Sequence, residues 1–219
     1  MKTYLPQINK ILNPKKTEIR YNSQWFDKKG ILFLYELTSK ITIQRVLERD
    51  DFQKRLKKDK EISILEVIYP LLQGYDSVAT KADLEIGGTD QKFNLLMGRK
   101  IQKRYNQKPQ DIMTLTILEG TDGIRKMSKS LGNYIGITES PDQMYGKIMS
   151  IPDSLTIKYF SLLTDVPDKE IEKMKKDLKK SRVNPRDLKA RLAREIVTLY
   201  HTKKQALKAE KEFGRIFKE

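Results

Sequence analysis

The sequence predicts an α/β half followed by an all-α domain. Up to Thr138, short runs rich in β-branched and large apolar residues alternate with stretches of helical spacing. From Ser140 onward every apolar stripe has helical spacing. A glycine pair, Gly87–Gly88, stands where one strand-like run gives way to a helix. The expected domains are therefore 1–138 and 139–219.

Residues 1–30 are polar with scattered apolar positions, and predict irregular structure with a short helix near Leu5–Leu12. Leu37, Ile41, Val46, Leu47 and Phe52 form a mixed pattern that predicts one or two helices over Glu36–Leu56. Ser63-Ile-Leu-Glu66 has the form of a capping box. The helix it opens carries an apolar line Leu65, Ile68, Leu72, with Pro70 expected to kink it. "ADLEIGG" predicts a short strand, and Thr89 is expected to cap the next helix, on which Phe93, Leu96, Met97 and Ile101 share a face. "DIMTLTILEG" predicts a buried strand, and "YIGIT" another short extended piece.

In the second half, Ser140 with Pro141 and Gln143 predicts a capped helix start. Ile171, Met174 and Leu178 share one face of the next basic stretch. Asn184 and Pro185 open a last helical region with the stripe Leu188, Leu192, Ile196, Leu199.

No segment approaches the roughly 20 uncharged apolar residues of a membrane span. The first residues lack the apolar run of a secretory signal. Zero cysteines exclude disulfides and thiolate metal sites, and fit a reducing cytoplasm. Lys and Arg number 44 against 29 Asp and Glu, and Asp168–Glu219 holds 17 basic residues against 9 acidic. That asymmetry fits a polyanionic partner or a merely basic surface, and charge alone does not choose. The single histidine, His201, excludes any two-histidine signature within the chain and reads as a surface or partly buried helix residue.

Three constellations can carry chemistry. "GTDGIRKMSKSLGN", Gly120–Asn133, is either a solvated hairpin tip or a mobile arm whose Lys126, Lys129 and Ser130 close on a polyphosphate. Gly123–Ser130 also comes within one residue of a phosphate-binding P-loop, but it lacks the second loop glycine and is followed by an extended piece rather than a long helix. Tyr69, Gln73 and Asp76, spaced i, i+4, i+7, fall within about 60° of one another on a helix. They form either its wet side or the polar wall of a small-ligand pocket. "GGTDQ", Gly87–Gln91, is either an ordinary turn or a close approach for a ribose, with Asp90 as acceptor for its hydroxyls.

Together these motifs resemble the bacterial tyrosyl-tRNA synthetases, members of class I. "KMSKS" at Lys126–Ser130 is identical to the signature loop of that class. "YPLLQGYDS" and "GGTDQKFNLLMGR" are similar to its tyrosine-binding helix and the segment after it, and "RYNSQWF", "LERDDF" and "NPRDLKARLAREIVTLYH" also read like this family. The resemblance implies an incomplete Rossmann-like catalytic domain, a parallel sheet with helices, over 1–138, and a helical tRNA-binding domain over 139–219. It implies that Tyr69 and Gln73 bind the tyrosine amino group, that Asp76 faces the phenol, and that Gln91 places the carboxylate. ATP would be held by Gly88 and Asp90 at the ribose and by Lys126, Met127, Ser128, Lys129 and Ser130 at the phosphates, with Mg2+ accompanying it and no protein-bound metal. L-Tyrosine, ATP and tRNA(Tyr) are the implied partners, in a cytoplasmic homodimer paired through the Glu36–Phe52 region, with no membrane. The family's His-x-Gly-His signature is absent from this chain, and is expected to precede Met1, as an RNA-binding appendage is expected to follow Glu219. Two functions stay open: part of a tyrosine–tRNA ligase, nearly inactive alone, or a non-catalytic tRNA-binding module.

Overall fold

The computed structural model describes residues 4–217. In chain order its elements begin with five short helices: α1 (Tyr4–Ile8), α2 (Ser23–Phe26), α3 (Ile31–Ser39), α4 (Ile43–Leu47) and α5 (Asp50–Leu56). Then come α6 (Ile64–Thr80), β1 (Leu84–Gly88), α7 (Lys92–Arg104) and β2 (Asp111–Leu115). Helices α8 (Pro141–Met149), α9 (Thr156–Leu163), α10 (Asp168–Lys179), α11 (Pro185–Tyr200) and α12 (Lys203–Phe217) complete the chain. Two compact units result: Glu18–Ile117, and Met1–Thr17 together with Leu118–Glu219. The expected boundary at 138 falls inside the second of these, because Leu118, Met127 and Ile135 pack against the helical core.

In the strand-bearing unit, β1 and β2 run parallel, in register from Leu84 opposite Asp111 to Gly88 opposite Leu115. Helix α7 crosses from one strand to the next, the βαβ arrangement that parallel pairing demands. The core gathers Leu37, Val46, Phe52, Leu71, Val78, Met97 and Ile101. Turns after Ser39 and Leu47 break the expected one or two helices over Glu36–Leu56 into parts of three, which lets Leu37, Val46 and Phe52 all face inward.

Three further expectations are corrected here. β2 is not buried: Met113 and Leu115, like Leu84 and Ile86 of β1, are exposed, since among the described residues only one face of the strand pair is covered. On α6 the covered residues are Pro70, Leu71, Gly74, Ser77 and Val78, while Leu65 is 69% exposed, so of the apolar line Leu65–Ile68–Leu72 only Leu72 packs against the core. The helix nevertheless continues through Pro70 as one element. Thr89 does not cap α7; Thr89–Gln91 forms a 3-10 turn first, and Gln91 precedes the helix without a side-chain cap.

The other unit is helical. Helices α8, α11 and α12 pack together, with α9 and α10 against them. Tyr145, Ile148, Tyr159, Phe160, Leu192 and Val197 are almost wholly removed from water. Both predicted caps form: Ser140 and Gln143 exchange bonds across the start of α8, and the Asn184 side chain accepts from the Arg186 N–H. Leu199 is exposed and Val197 takes its place in the stripe. "YIGIT" makes no strand. His201 ends α11 partly buried, its Nε2 3.0 Å from the Glu139 carbonyl oxygen.

α6 and α7 touch where Gly74 meets Gly98. A methyl group on Gly98 would lie 2.6 Å from Ser77 Oγ and 2.7 Å from Gln110 Nε2, so only glycine fits. Gly146 in α8 has nothing within 4 Å of the same position. Gly98→Ala should therefore lower stability by about 1–3 kcal/mol, and Gly146→Ala raise it by ~0.5–1 kcal/mol. Urea denaturation measures both, and equal effects would contradict the close contact.

Candidate active site

The register of α6 is set at its first turn. Ser63 Oγ accepts from the Glu66 N–H at 3.2 Å, and the Glu66 carboxylate accepts from the Ser63 N–H at 3.0 Å. Arg55 also grips Glu66. Its hydrogen bond, followed by that from the Ser63 backbone, holds the Glu66 carboxyl down at about 2. From that start the helix presents Tyr69, Gln73 and Asp76 on one side: Tyr69 59% exposed, the other two half-buried. Tyr69 and Gln73 have no hydrogen-bond partner among the described residues, which leaves an amide and a phenol for a ligand.

Asp76 is not idle. Trp25 Nε1–H donates to its Oδ1 at 2.9 Å. Burial pushes the Asp76 carboxyl above its ordinary range, the indole bond pulls it back, and the Glu85 charge adds to the rise. Trp25 is held in turn by rings, with Phe26 packing on Phe33 and Tyr75. Reasoning from sequence missed this residue, although it is the chain's sole tryptophan.

Behind the helix lies a polar network. Ser77 Oγ donates to Glu85 Oε2 at 2.9 Å, and Gln110 bonds the same oxygen. The buried Gln102 donates to the Ala82 carbonyl at 2.9 Å and accepts from the Gln110 N–H at 2.7 Å. At the end of β1, a methyl on Gly88 would stand 2.7 Å from Asp90 Oδ1, so the carboxylate sits directly over that glycine. Gln91 Oε1 accepts from Asn94 Nδ2 at 3.0 Å.

The other predicted residues belong to the helical unit. Leu118–Met127 is a hairpin, with Met127 N–H bonded to the Leu118 carbonyl and a bridge between Glu119 and Lys126. Its base is fixed to α9: the fully buried Tyr159 donates its hydroxyl to the Glu119 carbonyl at 2.6 Å, and Lys158 pairs with the Glu119 carboxylate. Lys126, Lys129 and Ser130 are exposed, whereas Met127 packs on the helical core and Ser128 is half-buried. Two exposed ammonium groups on a framed loop suit a flexible anion with several oxygens. Among the described residues no group of three or more acidic or imidazole side chains is placed to hold a metal, and no helix is long and apolar enough to cross a membrane.

The family profile described as tRNA synthetases class I (W and Y) matches residues 1–218. The chain belongs to that family. The tyrosine–tRNA ligase of Carboxydothermus hydrogenoformans is 57% identical over 218 residues, all of this chain and 53% of the relative. That of Thermotoga maritima is 53% identical over 99% of this chain and 54% of its own length. The synthetase chain thus spans about half the length of the curated relatives it matches. Among solved structures, the Archaeoglobus fulgidus tyrosyl-tRNA synthetase complexed with L-tyrosine aligns with a TM-score of 0.69 at 23% identity, over 93% of this chain and 70% of its own. That likeness establishes the fold: a partial, Rossmann-like class I synthetase domain.

A raised Asp76 pKa means that the folded state holds the proton more tightly than the unfolded chain. Its stabilising contribution is full below the unfolded carboxylate value and is lost as pH rises through the folded one. Trp25→Phe removes the indole hydrogen bond that lowers it, so the Asp76 midpoint should move upward. Carboxyl-carbon NMR titration checks this, and an unchanged or lower midpoint contradicts the indole bond.

Proposed function

We infer that this synthetase chain serves a tyrosine–tRNA ligase. The reaction activates tyrosine with ATP to tyrosyl-adenylate and pyrophosphate, then passes the tyrosyl group to the terminal ribose hydroxyl of tRNA(Tyr). The observation that carries this reading is the pair of exposed lysines, Lys126 and Lys129, at and just past the base of a hairpin pinned by the buried Tyr159. The identity to named tyrosine–tRNA ligases over the whole chain supports it.

In this reading Tyr69 and Gln73, whose polar ends have no partner among the described residues, take the substrate's amino group. Asp76, already bonded to Trp25 through one oxygen, offers the other to the phenol hydroxyl. A half-buried acceptor left unpaired by phenylalanine would favour tyrosine, a rule for which the tyrosyl synthetases are the standard instance. Gln91 helps to place the carboxylate, and Gly88 with Asp90 holds the ATP ribose. Lys126, Lys129 and Ser130, with the Met127–Ser128 backbone, gather the β- and γ-phosphates as the carboxylate attacks the α-phosphorus. Their charge stabilises the displaced pyrophosphate without any proton leaving the lysines. Mg2+ enters as part of the ATP substrate. A cytoplasmic homodimer belongs to the same proposal.

Helix α10 supports the tRNA contact. Ile171 and Met174 face the core, while Lys169, Lys173, Lys176 and Lys180 line its exposed side. Such a row displaces counterions from a phosphate backbone, so binding should weaken steeply with salt. The same row favours the second reading, a tRNA-binding module without catalysis.

Tyrosine-dependent ATP–pyrophosphate exchange separates the two. The chain alone should give negligible exchange, since it contains no His-x-Gly-His signature. Supplemented with the N-terminal half of a curated relative it should exchange, and Lys129→Ala should then cost about 10²–10³-fold. Salt-sensitive tRNA binding with no exchange under any supplementation would leave only the binding module.

A further inference from the structure

The signature loop is framed by two side chains outside it. Asn133 follows Gly132, whose φ is +68°, and is 4% exposed. Its Oδ1 accepts from the Ser128 N–H at 2.9 Å, and its Nδ2 donates to Asp122 Oδ2 at 3.0 Å and to the Lys126 carbonyl at 3.2 Å. Its own carbonyl accepts from the Thr121 N–H at 2.9 Å. Asp122 Oδ1 in turn accepts the Ile124 and Arg125 N–H groups, both at 3.1 Å, and Oδ2 accepts from Arg125 Nε at 3.0 Å. Those bonds, led by the Ile124 N–H, hold the Asp122 carboxyl down at about 2. Gly120 completes the clasp, because a methyl group there would collide with the Asn133 amide.

The chemistry of this clasp is directional. An asparagine amide offers both a donor for a carboxylate and an acceptor for an N–H, and Asn133 uses both. The backbone on either side of Met127 is held, the Lys126 carbonyl by Nδ2 and the Ser128 N–H by Oδ1. Leaving such a loop unordered until a ligand arrives would cost about 1–2 kcal/mol of backbone entropy per residue. Ordering it beforehand lets its cations act at full strength.

We propose that Asn133, with Asp122 as its partner, is a positioning residue that sets the Lys126–Ser130 backbone so that Lys126 and Lys129 meet one polyphosphate. This rests on the reading of the loop lysines given above. The clasp acts through the loop and touches no substrate itself.

Two measurements on the whole chain test it: amide exchange at Ser128 by NMR, and calorimetric binding of inorganic triphosphate. Asn133→Ala should speed Ser128 exchange by about tenfold and weaken triphosphate binding at least severalfold, with thermal unfolding little changed. Asn133→Asp sets a carboxylate against the Asp122 carboxylate, and Asp122→Asn sets an amide donor against the Asn133 donor. Each should open the loop, and the exchanged pair, Asp122→Asn with Asn133→Asp, restores a donor facing an acceptor between the two side chains but not the bond to the Lys126 carbonyl, so it should recover part of both signals. Recovery separates positioning from simple damage, and the exchanged pair also serves if Asn133→Ala fails to fold. Ser128 exchange as slow in Asn133→Ala as in the parent, triphosphate binding unmoved by an opened loop, or no recovery in the exchanged pair would overturn the proposal. A parent chain that binds no triphosphate while Ser128 stays protected overturns the reading of the lysines instead, and the positioning role with it.

Discussion

One buried hydroxyl ties the cationic loop to the rest of its unit. Tyr159 is fully enclosed among the residues of the helical core, and its O–H reaches the Glu119 carbonyl at the base of the hairpin. The neighbouring Lys158–Glu119 ion pair has both side chains about a third exposed, at 34% and 30%. Such a pair contributes ~0–1 kcal/mol. A buried hydrogen bond contributes about as much by itself, ~0.5–1.5 kcal/mol, but it acts together with an aromatic ring whose removal would open the core. The ring therefore dominates. From this anchor the hairpin extends outward, Met127 turns back onto the helices, and Lys126 and Lys129 are exposed.

The strand-bearing unit solves a different problem. Its polar side chains must be exact where the backbone comes close, and the Gly74–Gly98 contact brings α6 onto α7 with little room. Ser77, Glu85, Gln102 and Gln110 line that contact and are linked by hydrogen bonds among themselves and to backbone carbonyls, with Gln110 Oε1 left unpaired among the described residues. Next to Ser77 on the same helix, Asp76 keeps one carboxylate oxygen bonded to Trp25. The helix thus carries a structural network that borders a row of ligand-ready groups, with Ser77 one turn on from Gln73. The capping box at Ser63 fixes which residue falls on which side.

What was legible in the sequence was what is decided locally. The capping boxes at Ser63 and Ser140 and the Asn184 cap need only neighbouring residues, and all three form as expected. The alternation of strands and helices up to the loop, and helices after it, was also visible, because hydrophobic period follows element type. What failed depends on distant partners. "DIMTLTILEG" looked buried because its residues are apolar, yet only one face of its strand pair is covered. Leu65 looked like a core residue because spacing cannot say which side of α6 meets α7. Thr89 looked like a cap, but the chain tightens into a 3-10 turn before α7 begins. In the site, Tyr69, Gln73, Asp76 and the lysine loop carried their own signal. Trp25, Asn133 and Tyr159 did not, since each acts on a residue far along the chain or across a turn. Asn133 left a faint mark, an asparagine placed directly after a glycine that closes the loop.

The central claim is that the lysine loop and the polar row of α6 serve one reaction on tyrosine and ATP. Hydrogen exchange on the 219-residue chain with ATP and tyrosinol, which cannot form the adenylate, addresses it directly. Slowed exchange in both Lys126–Ser130 and Tyr69–Asp76 when both ligands are present is the expected result. Protection confined to one of these segments, or scattered over the basic helices alone, would contradict it.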